Sequence, residues 1–492
     1  MPSDPRKAHI AFVLLCLAGM GVPSHAQTGP APQTTAPALD DALFERVLTL
    51  NRVQEPELEA PRAREAFAAL LNRIRPALAQ ASTPKEKIAV LNRQLLADRE
   101  VAYLSNLYWR DATLAASLLR GKGNCLSTST LYVLAGRALH LPIRVVFIPG
   151  HAFVRWDDGQ TRINIETTAG GREIPDARYR EQAKHPTEAD AQALGWFRSL
   201  DDDAFLGELT MVSAGHRLGE ANLEEALVLI EQALKLVPKR VDWELQRAKV
   251  LSDITGRRDE ARLKISEIAA KPGVPPTVVT EALTFLAAEA AGRGDHDTER
   301  HYLLEAFSAA PKSAQLSVLQ QLAFCHRALK DFRGAVRYME LAVALVDPAD
   351  PNMANVLYNL SILQKNDKRL DDALASIRKA RRINPESWNL QTIEAGYLVL
   401  NGQQEAGYKL FETVKPPRAD RQFYEVMVAW FYAVSRQREK FYPAFETALA
   451  NSRNTHILEW IDQDVDLDLY REEPDFKALV AKHKERLLGA KP

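Results

Sequence analysis

Three residues in the first half of the chain, Cys125, His151 and Glu166, have the side chains from which a nucleophilic catalytic site is built. A cysteine thiolate attacks a carbonyl carbon, a histidine takes up and returns the thiol proton, and a carboxylate orients the imidazole. The alternative is structural, because a cysteine is often a small buried residue and a strand histidine can be a satisfied core group. Their predicted placement together favours the catalytic interpretation.

Cys125 is predicted to open a helix. Gly123 and Asn124 interrupt regular structure just before it, and the apolar residues from Leu126 to Leu139 recur at helical spacing. Free backbone N–H groups and the positive end of the helix dipole favour a thiolate over a thiol at such a position. The expected helix start is therefore a suitable place for a nucleophile.

Three strands are predicted after Pro142, at Ile143–Ile148, His151–Trp156 and Thr161–Glu166. Asp158-Gly159 between the last two is a strong hairpin signal, and a turn centred there places His151 directly opposite Glu166. The same register puts Arg155 opposite Arg162, which is mildly unfavourable. The other face of the hairpin would bury five apolar residues: Ala152, Val154, Trp156, Ile163 and Ile165.

The runs GNCLSTSTLY, LPIRVVFIPGHAFVRW and NIETTAGG resemble the transglutaminase-like core shared by bacterial thiol hydrolases of the papain-type superfamily. The resemblance covers residues 121–171 and implies an α+β fold with Cys125 as nucleophile, His151 as general base and Glu166 as orienting acid. Because this family includes peptidases, amide-transferring cross-linkers and inactive members, the resemblance implies chemistry more readily than a substrate.

The oxyanion-hole donor cannot be placed from the sequence. Asn124 and Trp109 are the candidate side chains, beside the backbone N–H of Cys125. No cofactor or metal is predicted: Cys125 and His151 are too few ligands for a zinc site, and HExxH, CxxC and the phosphate-loop spacing are absent from the sequence.

The N-terminus predicts export. Arg6 and Lys7 precede an apolar run from Ile10 to Val22, and Ser24-His25-Ala26 fits a signal-peptidase site with cleavage after Ala26. The run is short for an uncleaved membrane anchor, since a spanning helix needs ~20 residues. A lipoprotein signal has a small residue directly before its cysteine, but Leu15 precedes Cys16, so no lipid anchor is expected. In a bacterium, this predicts a periplasmic or secreted protein.

The charge composition argues against a nucleic-acid-binding protein. The 492 residues carry 63 Lys and Arg against 64 Asp and Glu, and no basic stripe indicates nucleic acid.

After signal removal the chain keeps Cys125 and Cys325, and the default for two cysteines in an oxidising compartment is a disulfide. Cys325 falls inside a helical repeat, where we expect it to be a small buried residue. Cys125 is then expected to be unpaired, which is best explained if its thiol takes part in a reaction.

The second half is predicted to be an array of helix pairs with a period near 34 residues. The clearest unit runs from Met353 to Pro385, with small residues at Ala373 and Ala380 where two helices pack closely. These residues resemble tetratricopeptide repeats. The array either stiffens the molecule or binds a peptide or protein, and binding is favoured because exposed faces of such repeats commonly hold partners. Tyr424, Trp430 and Tyr432 could line the groove, but core packing is the favoured interpretation for each of them.

We therefore expect an α+β transglutaminase-like domain followed by an all-α repeat solenoid. The expected activity is hydrolysis of a peptide or isopeptide amide, with no membrane span after signal removal; the alternatives are an inactive scaffold and an amide-forming cross-linker. The expected segments are a signal peptide (1–26), a flexible linker (27–41), the thiol domain with a helical N-terminal lobe (42–205), the repeats (206–455) and a C-terminal cap (456–492).

Overall fold

The computed structural model describes residues 42–104, 109–183, 186–417, 420–453 and 455–489. The predicted signal peptide and linker lie outside these ranges. The described chain forms two compact units, one made of residues up to 288 with 309–313, the other of 289–308 with the residues from 314 onward. Within the described ranges, no helix has the length and apolar character needed to cross a bilayer.

Helices α1–α4 form the N-terminal lobe and precede the strands. Their bounds are α1 Ala42–Gln54, α2 Ala60–Leu78, α3 Pro84–Leu95 and α4 Leu114–Leu119. Two short parallel strands, β1 (Ala102–Tyr103) and β2 (Lys122–Gly123), flank α4. Phe44, Phe67 and Ile74 are fully buried where the lobe packs on the thiol domain.

The thiol domain contains helix α5 (Cys125–Ala138) and a three-stranded antiparallel sheet in the order β3-β4-β5. The strands are β3 Ile143–Ile148, β4 His151–Asp157 and β5 Arg162–Ile165, close to the predicted bounds. The sheet face that was predicted to be apolar packs against α5 and the N-terminal lobe: Ala152, Val154, Trp156, Ile163 and Ile165 all belong to this core.

The predicted hairpin register is wrong by two residues. Strand β5 pairs Asn164 with Arg155 and Arg162 with Asp157, so a four-residue loop, Asp158–Thr161, joins the strands. Asp158 closes this loop, since its Oδ1 accepts hydrogen bonds from the N–H groups of Gln160 and Thr161. The observed register also separates Arg155 from Arg162 and gives each arginine a hydrogen-bonding partner across the hairpin.

The second face of the sheet is covered by the chain that follows β5. Two short helices, α6 (Asp176–Gln182) and α7 (Glu188–Ala193), lie in this segment. Tyr179 of α6 and Phe197 complete a small core with Phe153 of β4 and Val146 of β3. Both faces of the sheet are therefore buried, and His151, at the start of β4, is on the face covered by α6.

Sixteen further helices follow in the part of the chain that the structure describes, and most of the first fourteen pack in consecutive pairs. The bounds are α8 Asp202–Gly219, α9 Leu223–Leu236, α10 Val241–Asp253, α11 Arg258–Ala270, α12 Pro276–Gly292, α13 His296–Ala309, α14 Lys312–Ala328, α15 Phe332–Leu345, α16 Met353–Asn366, α17 Leu370–Ile383, α18 Trp388–Leu400, α19 Gln404–Glu412, α20 Arg421–Val434 and α21 Arg438–Asn451. The predicted repeat frame is confirmed at Ala226, Ala233, Ala373 and Ala380, which are fully buried because small residues let paired helices approach closely.

The closing segment consists of α22 (His456–Gln463), a 3-10 turn at Val465–Leu467 and α23 (Pro474–Gly489). Its apolar residues Leu467, Tyr470, Phe476 and Leu487 pack with α20 and α21 in a core of their own. The segment thus covers apolar side chains that the last helix pair would otherwise expose.

Candidate active site

Cys125 is the first residue of α5, as the sequence predicts. Asn124 caps the helix: its Oδ1 accepts the N–H groups of Leu126 and Ser127, and the Ser127 hydroxyl accepts the N–H of Asn124. A β-carbon at Gly123 would lie 2.3 Å from the Ser127 Oγ, so only glycine allows this reciprocal cap. The cap fixes the direction in which α5 begins and hence the position of the thiol.

His151 and Glu166 are joined by a hydrogen bond of 2.8 Å between Nε2 and Oε2. They meet diagonally, because the observed register sets Glu166 just beyond β5 and not directly opposite His151. Both side chains are about nine-tenths covered, at 10% and 9% exposure, so water competes little for the contact. With Nε2 engaged, Nδ1 is the ring nitrogen left to serve Cys125.

Every lone-pair direction of the Glu166 carboxylate has a donor within reach. Oε1 accepts the N–H and the hydroxyl of Thr168 at 3.0 and 2.6 Å. Oε2 accepts the Tyr179 hydroxyl at 2.8 Å in addition to the His151 ring. A carboxylate held at both oxygens keeps one orientation, which in turn fixes the imidazole.

The loop after Glu166 explains the Gly-Gly of the sequence signature. Gly170 and Gly171 have φ of +67° and +78°, in the left-handed region. The loop closes on itself, because the N–H of Glu166 donates to the Arg172 carbonyl and the Glu166 carbonyl accepts the N–H of Gly171. A β-carbon on Gly171 would lie 2.2 Å from the Asn92 side chain, whose amide donates to the Gly171 carbonyl.

The charges of the site are coupled. Burial by itself lowers the pKa of His151, but hydrogen bonds and charge interactions with Cys125 and Glu166 raise it to about 10. Burial likewise raises the pKa of Glu166, but the hydrogen bond and charge of His151, with the bonds from Thr168, lower it to about 2. At neutral pH the imidazolium and the carboxylate are therefore the stable forms.

The thiol of Cys125 is partly exposed, and both Cys125 and Cys325 are free. Cys325 is buried in α14, where its sulfur lies 3.3 Å from the His296 carbonyl oxygen, and burial raises its pKa to about 12. Cys125 is therefore partly open to solvent, whereas Cys325 is shielded from it.

Tyr103 is a residue of the site that the sequence analysis missed. It is 46% exposed on β1, and burial together with the nearby charges of Cys125 and Glu166 raises its pKa. The pairing of β1 with β2, directly before Cys125, sets Tyr103 opposite Gly123 and so places it in the neighbourhood of the thiol. No sequence pattern marks it, because a two-residue strand gives no periodic signal.

Tyr179 and Arg155 form a second layer that the sequence analysis also missed. The buried Arg155 guanidinium donates to Asn164 Oδ1, the Phe197 carbonyl and Asp176 Oδ1 at 2.6, 3.0 and 2.7 Å. Asp176 begins α6, which carries Tyr179, and the Tyr179 ring stacks on Phe153 at 3.8 Å. The network thus anchors α6, and the Tyr179 hydroxyl on this helix donates a hydrogen bond to Glu166. The members of the network are distant in sequence, and an isolated Arg in a strand gives no indication of burial.

The two side chains proposed as oxyanion-hole donors, Asn124 and Trp109, lie in different surroundings. Asn124 is buried next to the thiol, with its Oδ1 used for capping and its amide nitrogen outside those contacts. The Trp109 ring packs against α8, 5.5 Å from the His216 ring. The N–H of Cys125 lies in the first turn of α5, where backbone donors have no intrahelical acceptor. The assignment of either side chain stays a prediction.

Residues 61–195 match the family model of the transglutaminase-like superfamily, Transglut_core2. The chain therefore carries a transglutaminase-like domain, followed by an all-α array of tetratricopeptide-type helix pairs. No curated protein is similar enough to the chain to count as a relative.

Similar solved structures include three proteins with low sequence identity to this chain. PilW, a widely conserved type IV pilus biogenesis factor, is 16% identical with a TM-score of 0.33, covering 42% of this chain and 90% of PilW. A tetratricopeptide repeat protein from Parabacteroides merdae is 12% identical with a TM-score of 0.37, covering 52% and 98%. PilF of Pseudomonas aeruginosa is 14% identical with a TM-score of 0.28, covering 56% and 97%. These likenesses are too loose to support an argument about this chain.

Proposed function

We propose that the protein is a thiol-dependent acyl-transfer enzyme that hydrolyses a peptide or isopeptide amide. The observation that carries the proposal is the position of His151, which is hydrogen-bonded to Glu166 at 2.8 Å and close enough to Cys125 for the two to interact through a hydrogen bond and through charge. The partly exposed thiol and the covered His151-Glu166 pair suit a nucleophile that meets substrate while its base stays shielded from solvent.

In the proposed acylation step, the Cys125 sulfur forms a bond to the amide carbonyl carbon, and the carbonyl electrons move to the oxygen. The N–H of Cys125 donates to this oxyanion. As the C–N bond breaks, His151 gives the proton on Nδ1 to the leaving amine, and a thioester remains on Cys125. Glu166 accepts the hydrogen bond from Nε2–H throughout, so it stabilises the imidazolium and holds the ring in place.

In the proposed second step, water attacks the thioester, and His151 takes up its proton at Nδ1. The C–S bond then breaks, the carboxylic acid product leaves and Cys125 regains its starting form. An amine in place of water would give an amide, which is the cross-linking alternative. Hydrolysis is the first choice because amine transfer requires the exclusion of water, and Cys125 is partly open to solvent.

The helix pairs are proposed to hold a protein partner or substrate, and residues 1–26 to direct export to the periplasm or the outside of the cell. The repeat architecture supports the first statement, since paired helices in such arrays expose extended faces. The sequence of the N-terminus alone supports the second.

The test of the proposed activity is turnover of a library of peptide and isopeptide amides by purified protein, compared with Cys125→Ala. We expect turnover that disappears in this variant and persists in Cys325→Ala, because the Cys325 thiol is buried. Incorporation of an added labelled amine would separate transfer from hydrolysis. Equal turnover by wild type and Cys125→Ala would contradict the proposal.

A further inference from the structure

Buried hydroxyl groups lie between α5 and the loop that follows Glu166. The Thr128 hydroxyl donates to the Asn124 carbonyl at 2.8 Å, and its oxygen lies 2.8 Å from the hydroxyl oxygen of Thr167. Because the single hydroxyl proton of Thr128 is directed at Asn124, Thr167 is the donor in the second bond. This bond joins the helix that begins at Cys125 to the residue directly after Glu166.

Ser129 extends these contacts to strand β4. Its hydroxyl oxygen lies 3.4 Å from that of Thr167 and 3.5 Å from the carbonyl oxygen of Ala152, which follows His151. Both distances are long for a hydroxyl hydrogen bond, so the bond between Thr128 and Thr167 is the stronger link. We name the side chains of Thr128, Ser129 and Thr167 the hydroxyl network.

The hydroxyl network includes or contacts one sequence neighbour of every residue of the proposed triad: Asn124 before Cys125, Ala152 after His151 and Thr167 after Glu166. Water has little access to it, because Thr128, Ser129 and Thr167 are 2%, 0% and 3% exposed. A hydrogen bond in such a buried place is stronger than one in water, where solvent competes for both partners. The hydroxyl network is therefore suited to fix how α5 packs on the hairpin.

The thiol and its base are carried by different elements. Cys125 lies in the first turn of α5, whereas His151 begins β4 and is bonded to Glu166 just beyond β5. Apolar packing of α5 on the sheet is not directional, so by itself it sets the separation of these elements loosely. A hydrogen bond depends on both distance and angle, and it fixes the separation at one point.

We propose that Thr128 and Thr167 are positioning residues, which hold the loop after Glu166 on α5 so that the His151 ring meets the Cys125 thiol in the geometry that a thiolate-imidazolium pair requires. The inference rests on the proposed thiol chemistry and gives neither threonine a contact with substrate. The role differs from that of Thr168, which binds the Glu166 carboxylate itself.

The test is the rate of iodoacetamide alkylation of Cys125 in the full chain from pH 4 to pH 10, read by mass spectrometry. Thr167→Val replaces the hydroxyl by a methyl group of similar size. We expect the pH of half-maximal labelling to rise by about one unit, which is a tenfold change in the ratio of thiolate to thiol, because the imidazolium is less well placed to stabilise the thiolate. Thr167→Ser keeps the hydroxyl and should keep the wild-type profile.

The matched control is Thr130→Val in the same helix. Thr130 is 1% exposed, and within the described residues its hydroxyl has no hydrogen-bonding partner, so the substitution removes no such bond. This variant should have the wild-type profile. A shift of the same size in Thr130→Val and in Thr167→Val would show that any change in the buried core disturbs the site, and would overturn the proposal.

The double variant Thr128→Val/Thr167→Val covers the case in which the single variant does not fold. Replacing both partners of a buried hydrogen bond by apolar groups of similar shape costs little stability, whereas one unpaired partner is expensive. Its profile should be shifted upward by about as much as that of Thr167→Val, since the two residues share one bond. Near-UV circular dichroism reports whether each variant keeps its tertiary packing.

A wild-type profile in folded Thr167→Val, or in the folded double variant, would overturn the proposal. The proposed function would survive that result, because wild-type Cys125 would still label as an activated thiol. An ordinary thiol profile in the wild-type chain would instead end the proposed function, and this inference with it. The measurement needs no substrate, so a failed search for amide turnover leaves it readable.

Discussion

His151 connects the two other residues of the site. Its Nε2 is engaged by Glu166, and its interaction with Cys125 contributes to the raised pKa of its ring. Glu166 in turn depends on Thr168 and Tyr179, which occupy its remaining acceptor positions. At the residue scale, the site is therefore a chain of single contacts in which each group fixes the orientation of the next.

Because His151 and Glu166 form an ion pair, we expect Glu166→Gln to lower the free energy of unfolding by an amount that depends on pH. The raised pKa of His151 stabilises the folded state fully below its ordinary value of 6.5, and this stabilisation is lost as pH rises through about 10. The lowered pKa of Glu166 stabilises it fully above 4.5, and this is lost as pH falls toward about 2. Both contributions are complete between pH 4.5 and 6.5.

We expect Glu166→Gln to lower the free energy of unfolding by about 3 kcal/mol in that window, as for removal of one partner of a buried pair. The deficit should shrink toward pH 2 and toward pH 10. Chemical denaturation of both proteins at several pH values measures it. A deficit that is the same at every pH would show that the ion pair is not its source.

Tyr179→Phe tests the hydroxyl that holds Glu166. The phenyl ring can keep the stacking on Phe153, so the fold should stay intact while Glu166 loses one hydrogen bond. We expect kcat to fall by about tenfold, which corresponds to about 1.4 kcal/mol, with KM changed little. The matched control is Tyr408→Phe in α19, outside the site. An unchanged kcat in Tyr179→Phe would mean that Thr168 and His151 suffice to hold the carboxylate.

At the scale of elements, the hairpin and the loop after it bring His151 and Glu166 together. The observed register differs from the predicted one by two residues, and an even shift leaves every side chain on its own face. His151 and Glu166 consequently still meet, although diagonally. The sequence could predict the faces from alternation, but the register depends on Asp158, whose side chain closes a four-residue loop.

Gly171→Ala should disrupt the loop that carries Glu166. An alanine at position 171 would be strained by the left-handed φ and would also clash with Asn92. An alanine at position 170 would be strained by a similar φ, but no heavy atom lies within 4 Å of its β-carbon. We expect Gly170→Ala to cost about 1 kcal/mol of stability with activity kept, and Gly171→Ala to cost at least ~2 kcal/mol more and to reduce kcat. Thermal melts and turnover of the two variants measure the difference, and equal effects would contradict the packing argument.

Contacts between distant segments set the limit of what the sequence could predict about the site. The helix that begins at Cys125 and the three strands follow from local patterns, and their bounds agree with the predicted ones to within one residue at each end. Tyr103, Tyr179 and Arg155 reach the site through strand pairing and through a buried network, neither of which leaves a periodic signal. The same reason hides the contact of Lys365 with Asp466.

At the scale of the whole molecule, the repeats were the most predictable part, because the spacing of small residues directly encodes helix pairs. The first two pairs, α8–α11, belong to the same compact unit as the transglutaminase-like domain. In this unit the peptide N–H of Thr277 donates to Asp190 of α7. Such long-range contacts depend on the packed fold and are not visible in the repeat pattern.

The proposed export makes a prediction about the whole chain. Protein recovered from the periplasm or medium of a bacterium that expresses the chain should begin at Gln27, because Ser24-His25-Ala26 offers small residues at the required positions. Intact-mass spectrometry measures the N-terminus, and an Ala26→Leu variant should block or shift the cut. Recovery of an intact Met1 form from the cytoplasm would contradict this part of the account.

The most direct test of the central claim is the rate of iodoacetamide alkylation of Cys125 at pH 8 and pH 6, followed by mass spectrometry with Cys325 as internal control. His151 stays an imidazolium over this range, since its pKa is raised to about 10 by Cys125 and Glu166 against the opposing effect of burial. The account predicts that labelling of Cys125 slows less than about threefold, whereas a thiol with the ordinary pKa of ~8.5 slows roughly a hundredfold.

In His151→Ala the steep dependence of an ordinary thiol should return, and Cys325 should label slowly in both proteins because it is buried. A Cys125 that slows roughly a hundredfold in wild type, as an ordinary thiol does, and does not respond to His151→Ala, would contradict the account. The transglutaminase-like domain would then lack an activated nucleophile.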